Sequence, residues 1–161
     1  MVYKLSLILP LLLCAAVVPV QAQERPFGLG AIIGEPTGLS AKYWTSPRTA
    51  MDFELGWSFA RTGDEGPNNG ESMVSFHMDY LWHSFDALNT DERLPIYYGI
   101  GGRINSGFGN ENSLAVRGVV GIAWMPRTSP IDIFFEVAPT LQLVSTTNFG
   151  FEAGFGARYY F

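Results

Sequence analysis

The chain has 161 residues, with 10 basic residues, 15 acidic residues and a formal net charge of −5. This length suits one folded domain. The acidic balance offers no basic patch that could neutralise phosphates, so we expect no nucleic-acid partner.

The first 22 residues have the order of a secretory signal peptide. Lys4 makes the start positive, residues 5–20 are apolar, and Val20-Gln21-Ala22 places small residues before a cleavage point. We therefore predict a signal peptide over 1–22, cut after Ala22, and a mature domain over 23–161.

A retained helical anchor is the alternative for the apolar segment. It is disfavoured because Pro10 interrupts the run, and the run ends in a cleavage-type sequence. The single cysteine, Cys14, lies within the predicted signal peptide. The mature domain then has no cysteine, which excludes disulfides, thiol nucleophiles and zinc–thiolate sites.

From residue 26 onward the hydrophobic pattern has a period of two. In the last segment, the odd-numbered residues of 149–161 are apolar or aromatic, whereas the even-numbered ones are mostly glycine or charged. Alternate residues of a strand face opposite sides, so one face is apolar. Similar splits predict an all-β fold of eight antiparallel strands, with the other seven at about 26–34, 39–45, 51–59, 74–83, 96–104, 114–124 and 131–138.

The composition of the polar face indicates which side points outward. A soluble lipocalin would bury the apolar face around a ligand and present many long polar side chains to water. Here the polar face is mostly Gly, Ala and Ser with charges of both signs, which favours a transmembrane up-and-down barrel with a polar lumen. The predicted interior ion-pair network comprises Lys42, Asp52, Glu54, Asp79, Arg103, Arg117, Asp132, Glu136, Glu152 and Arg158.

The connections alternate between the two ends of such a barrel. Glu35-Pro36-Thr37-Gly38 predicts a type I turn with Pro36 second and Gly38 left-handed. With both termini inside the cell envelope, the predicted extracellular loops are 60–72, 105–113 and 139–148, and the inner connections are 46–49, 84–94 and 125–130.

Aromatic residues gather where the descending strands end. Such clusters at one level are typical of the interface between a membrane and water. The predicted interfacial belt comprises Tyr43, Trp44, Tyr80, Trp82, Trp124, Tyr159 and Phe161.

On these residues the chain resembles the small eight-stranded outer-membrane barrels, the group that includes the OmpA transmembrane domain and OmpX. The likeness covers 26–161, and the segment Gly30 to Gly38 also resembles the opening of small uncharacterised proteins in this group. Its most specific element is the C-terminal strand ending in Phe161, which family members carry as their assembly signal. Such a resemblance implies the fold but does not imply the function.

The same resemblance implies a location and partners. It implies export to the outer membrane of a Gram-negative-type bacterium, with outer-membrane lipids and lipopolysaccharide around the barrel. It also implies that the outer-membrane assembly machinery recognises the C-terminal strand. We expect a monomer.

Enzymatic chemistry has weak support in the sequence. Ser75, His77 and Asp79 alternate on one predicted strand, but residues two apart have Cα atoms roughly 7 Å apart, so a triad along the strand would be strained. Some eight-stranded barrels modify lipid A, yet the lipid-facing positions here hold no His–Ser pair, and His83-Ser84 lies at the inner end. We therefore expect no catalytic residues.

Metal and cofactor sites are not predicted either. His77 and His83 are six residues apart, and no carboxylate cluster in the sequence completes a ligand set. Eight strands enclose a lumen just wide enough for side chains. The sequence thus favours a non-enzymatic barrel with a plugged interior and an envelope-structural or surface-interaction role, with a lipid A-modifying enzyme and a narrow channel as alternatives.

Overall fold

The computed structural model describes residues 25–59, 72–107, 112–144 and 147–161. These residues form eight strands: β1 (Phe27–Gly34), β2 (Thr37–Trp44), β3 (Thr49–Phe59), β4 (Ser72–Ser84), β5 (Ile96–Gly107), β6 (Ser113–Trp124), β7 (Ile131–Gln142) and β8 (Asn148–Tyr160). Each strand pairs antiparallel with the next, and β8 pairs with β1, which closes the sheet into a barrel. The predicted all-β, eight-stranded antiparallel barrel is confirmed.

The connections divide between two ends of this barrel. Residues 45–48, 85–95 and 125–130 join strands at the end that also holds the two termini of the domain, here called the turn end. Residues 35–36, 60–71, 108–112 and 143–147 join strands at the opposite end, here called the loop end. This is the predicted up-and-down topology.

The predicted signal peptide over 1–22 lies outside the described residues. In the ranges that are described, no helix is long and apolar enough to cross a membrane.

The apolar face points outward, as predicted from the composition of the polar face. Along β8 the side chains of Glu152, Arg158 and Tyr160 are buried, whereas the alternating aromatic residues are exposed. Phe149 and Phe151 are 69% and 65% exposed, whereas phenylalanine in a soluble protein is usually buried in the core. The lumen holds the charged residues, which reverses the usual distribution in a soluble barrel.

The first hairpin differs from the predicted type I turn. Its two central residues are Glu35 and Pro36, joined by a cis peptide bond, and the glycine with positive φ is Gly34 (φ 133°) rather than Gly38. Gly34 precedes the turn, where its N–H donates to the Thr37 hydroxyl and its carbonyl accepts from the same hydroxyl. The prediction that Gly38 takes the positive φ was therefore wrong, because Gly34, on the other side of the turn, takes it.

Two loops are shorter than the sequence predicts. β5 runs to Gly107 and β7 to Gln142, so the predicted loops 105–113 and 139–148 shrink to 108–112 and 143–147. Asn105 and Thr140 are polar, but both are buried in the lumen and continue the strand alternation. Polarity was misread as a loop signal because the inside of this barrel is itself polar.

Pro139 interrupts the ladder between β6 and β7. The register holds at Arg117–Thr140 and resumes at Val120–Val137. Gly118 lies beside the Pro139 ring in the gap. Proline has no N–H to donate, so the ladder loses a bond at this level. The gap opens on the apolar outer surface as a cavity of about 250 Å³.

Candidate functional site

The charged lumen is organised around two arginines, and Arg158 on β8 is the one nearer the turn end. Its Nη2 donates to both carboxylate oxygens of Asp52 at 2.8 and 2.7 Å, and its Nε donates to the Ser40 hydroxyl at 2.9 Å. Asp132 lies 3.7 Å from Nη1, and the guanidinium stacks 3.7 Å from the centre of the Phe134 ring. These contacts offset the cost of burying the charge, although Nη1 has an ion pair and no hydrogen bond among the described residues.

Arg117 on β6 forms the second centre. Four carboxylates surround its guanidinium: Glu136 at 3.1 Å, Glu54 and Asp79 at 3.6 Å, and Glu152 at 3.8 Å. These acids come from four strands, so the one cation connects walls on different sides of the lumen. Only the Glu136 contact is a hydrogen bond, and the other three are ion pairs, which a low-dielectric interior strengthens.

Three of these carboxylates, Glu136, Glu152 and Asp132, also contact other side chains of the lumen. Glu136 accepts a hydrogen bond from the Tyr97 hydroxyl at 3.0 Å in addition to the bond from Arg117. Glu152 also forms an ion pair with Arg103, the least buried of the four lumen cations. Asp132 accepts a bond from the Tyr160 hydroxyl at 2.8 Å.

Lys42 does not join the predicted ion-pair network. It is buried, but its ammonium has no hydrogen-bond partner among the described residues. Its strand neighbour Asp52 is occupied by Arg158. The ammonium instead lies 5.3 Å from the centre of the Trp44 ring and 4.9 Å from that of Tyr97, which makes it a cation–π contact.

The structure contains a carboxylate cluster that the sequence did not indicate. Asp52, Glu54 and Glu136 each place one oxygen within 4.8 Å of the others, and all three are buried. Strand pairing brings them together from β3 and β7, which spacing along the chain cannot show. Both oxygens of Asp52 and of Glu136 already accept hydrogen bonds from protein groups, and Arg117 and Arg158 supply positive charge there.

Ser75 and His77 approach more closely than predicted. Ser75 Oγ lies 2.7 Å from His77 Nε2, and Glu54 Oε2 lies 3.4 Å from His77 Nδ1. The long imidazole arm spans the distance between Cα atoms two residues apart, on which the expectation of a strained triad was based. The acid behind the histidine is Glu54 of the neighbouring strand rather than Asp79.

The burial of this group opposes nucleophilic catalysis. His77 Nδ1 faces both Glu54 and Arg117, and Nε2 faces Ser75 Oγ, so every polar atom of the ring is directed at a protein group. Ser75 is only 2% exposed and His77 is fully buried, so the serine hydroxyl is not open to a substrate.

The aromatic residues at the turn end divide into two sets. Tyr43, Tyr80, Trp82, Trp124, Tyr159 and Phe161 lie on the outer face, with ring contacts such as Tyr80–Trp82 at 4.9 Å and Tyr159–Phe161 at 5.1 Å. Trp44 was wrongly assigned to this belt. It is 2% exposed, points into the lumen and packs 4.4 Å from His83, because it has the inward parity of Lys42.

Several lumen residues were missed from the sequence. Tyr97, Phe134 and Tyr160 are buried large side chains that support the network, and Tyr98 stacks on Trp82 in the outer belt at 5.7 Å. The alternation along each strand places Tyr97, Phe134 and Tyr160 on the same inward face as the charged residues. The predicted network comprised charged residues alone and so omitted them.

This architecture, a closed eight-stranded barrel with an apolar exterior and a charged interior, is that of the small outer-membrane β-barrels. No family model matches the chain, and no curated protein matches it. Among solved structures it is similar to Ail, the attachment invasion locus protein of Yersinia pestis, at 13% identity over 84% of this chain and 93% of that chain, with a TM-score of 0.43. A likeness at this level carries no statement about function.

Proposed function

We propose that the chain is an exported, non-enzymatic integral outer-membrane protein whose lumen is plugged and whose loop end serves an envelope-structural or surface-interaction role. The observation that carries the proposal is the position of Arg117, held among four carboxylates from four strands. A side chain so placed spans the lumen where a conducting path would have to run. The exposed aromatic exterior supports placement in lipid.

The loop end supports the interaction role by topology. Three connections with irregular composition, at 60–71, 108–112 and 143–147, join strands whose described ends lie at this end of the barrel. Binding residues are commonly carried on loops that a rigid scaffold positions. We therefore place any partner contact of this protein at the loop end.

The plug predicts an electrically silent protein. Refolded protein incorporated into a planar bilayer is expected to show no steady single-channel current, since the ion-paired side chains block the path. Heat-dependent gel mobility of the same sample establishes that the barrel is folded, and a porin in the same bilayer provides the positive control. A steady current from the intact protein, persisting after Arg103→Ala, would contradict the plug and favour a narrow channel.

A lipid A-modifying enzyme is the second candidate, because Ser75, His77 and Glu54 have the spacing of a hydrolytic triad. The burial of Ser75 and His77 predicts that this group is inactive. We expect identical lipid A acyl patterns, by mass spectrometry, in cells that express the protein, its Ser75→Ala variant or neither. A change in acyl pattern that disappears with Ser75→Ala would establish the enzyme.

A further inference from the structure

A second group of cations lies at the turn end, outside the lumen network. Arg25, Arg93 and Arg127 line one cavity of about 320 Å³, together with the 125–130 turn, Ile131 and the inward-facing Trp44 and Tyr160. This cavity is here called the arginine pocket. No carboxylate is among its described lining residues.

Hydrogen bonds of the backbone and of the Arg25 side chain hold the three arginines around the pocket. Met125 N–H donates to the Arg93 carbonyl at 2.9 Å, which fixes the β4–β5 connection beside the turn that carries Arg127. Tyr160 N–H donates to the Pro130 carbonyl at 2.7 Å, which ties the same turn to β8. Arg25 Nη1 donates to the Tyr160 carbonyl and to the Tyr159 hydroxyl, both at 3.2 Å.

The nearest acids, Asp86 and Glu92, line the neighbouring cavity together with Arg93 and Arg127, and both bond other groups. Asp86 forms an ion pair with Arg48 at 3.0 Å, and Glu92 accepts a bond from the Trp124 indole at 3.2 Å. Within the part of the chain that the structure describes, Arg93 and Arg127 form no ion pair, and Arg93 instead lies 4.6 Å from the Phe85 ring. Burial and the charge of Arg127 lower the pKa of Arg93.

The three guanidinium groups line a cavity with no carboxylate among its described lining residues, which suits an anion. Arginine forks match the oxygens of a phosphate, and the hydroxyls of Thr128 and Ser129 offer further donors. The pocket also reaches the lipid-facing surface, because Ile131 lines it and Arg25 bonds the outward-facing Tyr159. Tyr159 belongs to the aromatic belt, the level at which lipid headgroups lie.

We propose that the arginine pocket binds the phosphate of a phospholipid headgroup from the leaflet that surrounds the turn end. That the phosphate comes from a lipid depends on the proposed membrane placement. That the pocket binds a phosphate group does not depend on it, so each statement can be disproved without the other.

The test uses the refolded protein in a non-ionic detergent free of phosphate, observed by NMR at the Thr128 and Ser129 amides and the arginine Nε–H groups. The probes are dihexanoyl phosphatidylglycerol below its micelle concentration, inorganic phosphate, and sodium chloride at matched ionic strength. We expect saturable shifts with phosphatidylglycerol and with phosphate, but none with chloride. The double variant Arg93→Gln/Arg127→Gln should weaken binding by at least about tenfold, since it removes two charge-assisted bonds to the phosphate.

Arg48→Gln is the matched control, because Arg48 lies at the same end but already pairs with Asp86. Its affinity should remain within about twofold of the unmodified protein. Saturation by phosphatidylglycerol supports the proposal, whether or not inorganic phosphate also saturates the pocket in its own titration. Saturation by phosphate alone overturns the lipid source, and absence of saturation by either, or equal loss in Arg48→Gln, overturns the pocket. Heat-dependent gel mobility and a requirement for detergent, measured on the same samples, report on the membrane placement independently.

Discussion

Replacing Arg117 with methionine is expected to lower the free energy of unfolding by at least about 3 kcal/mol, the range measured when one partner of a buried ion pair is removed. Six lumen carboxyl groups now face four cations, and the variant would leave three. Glu54, Asp79, Glu136 and Glu152 would lose the cation they share. Urea unfolding in lipid vesicles, followed by heat-dependent gel mobility, measures the loss.

Two further variants make this result specific. Arg48→Ala removes an exposed ion pair with Asp86 and should cost no more than about 1 kcal/mol. Combining Arg117→Met with Glu54→Gln and Glu136→Gln removes two of the stranded charges, so the triple variant should be more stable than Arg117→Met alone. A loss for Arg117→Met no larger than that for Arg48→Ala would show that the lumen charges are solvated and unpaired.

Gly30→Ala is expected to cost about 3 kcal/mol, the upper part of the range for overpacking. A Cβ at Gly30 would overlap the Ala157 carbonyl and the Arg158 Cα, which are backbone atoms and cannot rotate away. Gly30 pairs with Arg158 across the seam between β1 and β8, so relief of the overlap would open the seam that closes the barrel. An open seam leaves backbone groups unpaired in the hydrocarbon.

Gly102→Ala is the matched control for the seam. A Cβ there would meet only the Ala115 carbonyl, at an ordinary 3.6 Å. The same chemical change should therefore alter stability by less than about 0.5 kcal/mol. Equal losses for the two alanine variants, measured by the same urea titration, would contradict the close approach at the seam.

The overall fold could be predicted because strand parity is a local property. In β8 each residue's neighbours along the chain determine which face it occupies, so the alternation from Phe149 to Phe161 was enough to assign both faces. The same reasoning applied to Trp44 would have placed it in the lumen beside Lys42. The error arose from assigning aromatic residues by type rather than by parity.

The boundaries of the strands were harder to predict, for a physical reason. In a soluble protein, polar residues such as Asn105 and Thr140 commonly mark a loop, but in this barrel they face a polar lumen and remain in strands. The turn at Glu35–Pro36 was also misplaced. Both flanking glycines can adopt a positive φ, and the sequence does not show that Gly34 rather than Gly38 adopts it.

The amino-acid sequence by itself determined the number of strands, their faces and the set of charges inside the lumen, since each depends on a period of two along a single segment. Only the tertiary structure decided the partners: that Arg158 bonds Asp52, that Arg117 takes four acids, and that Lys42 is left between two rings. Those contacts depend on the stagger of strands around a closed barrel and on reach across the lumen. Both are properties of the closed sheet, and no spacing along the chain encodes them.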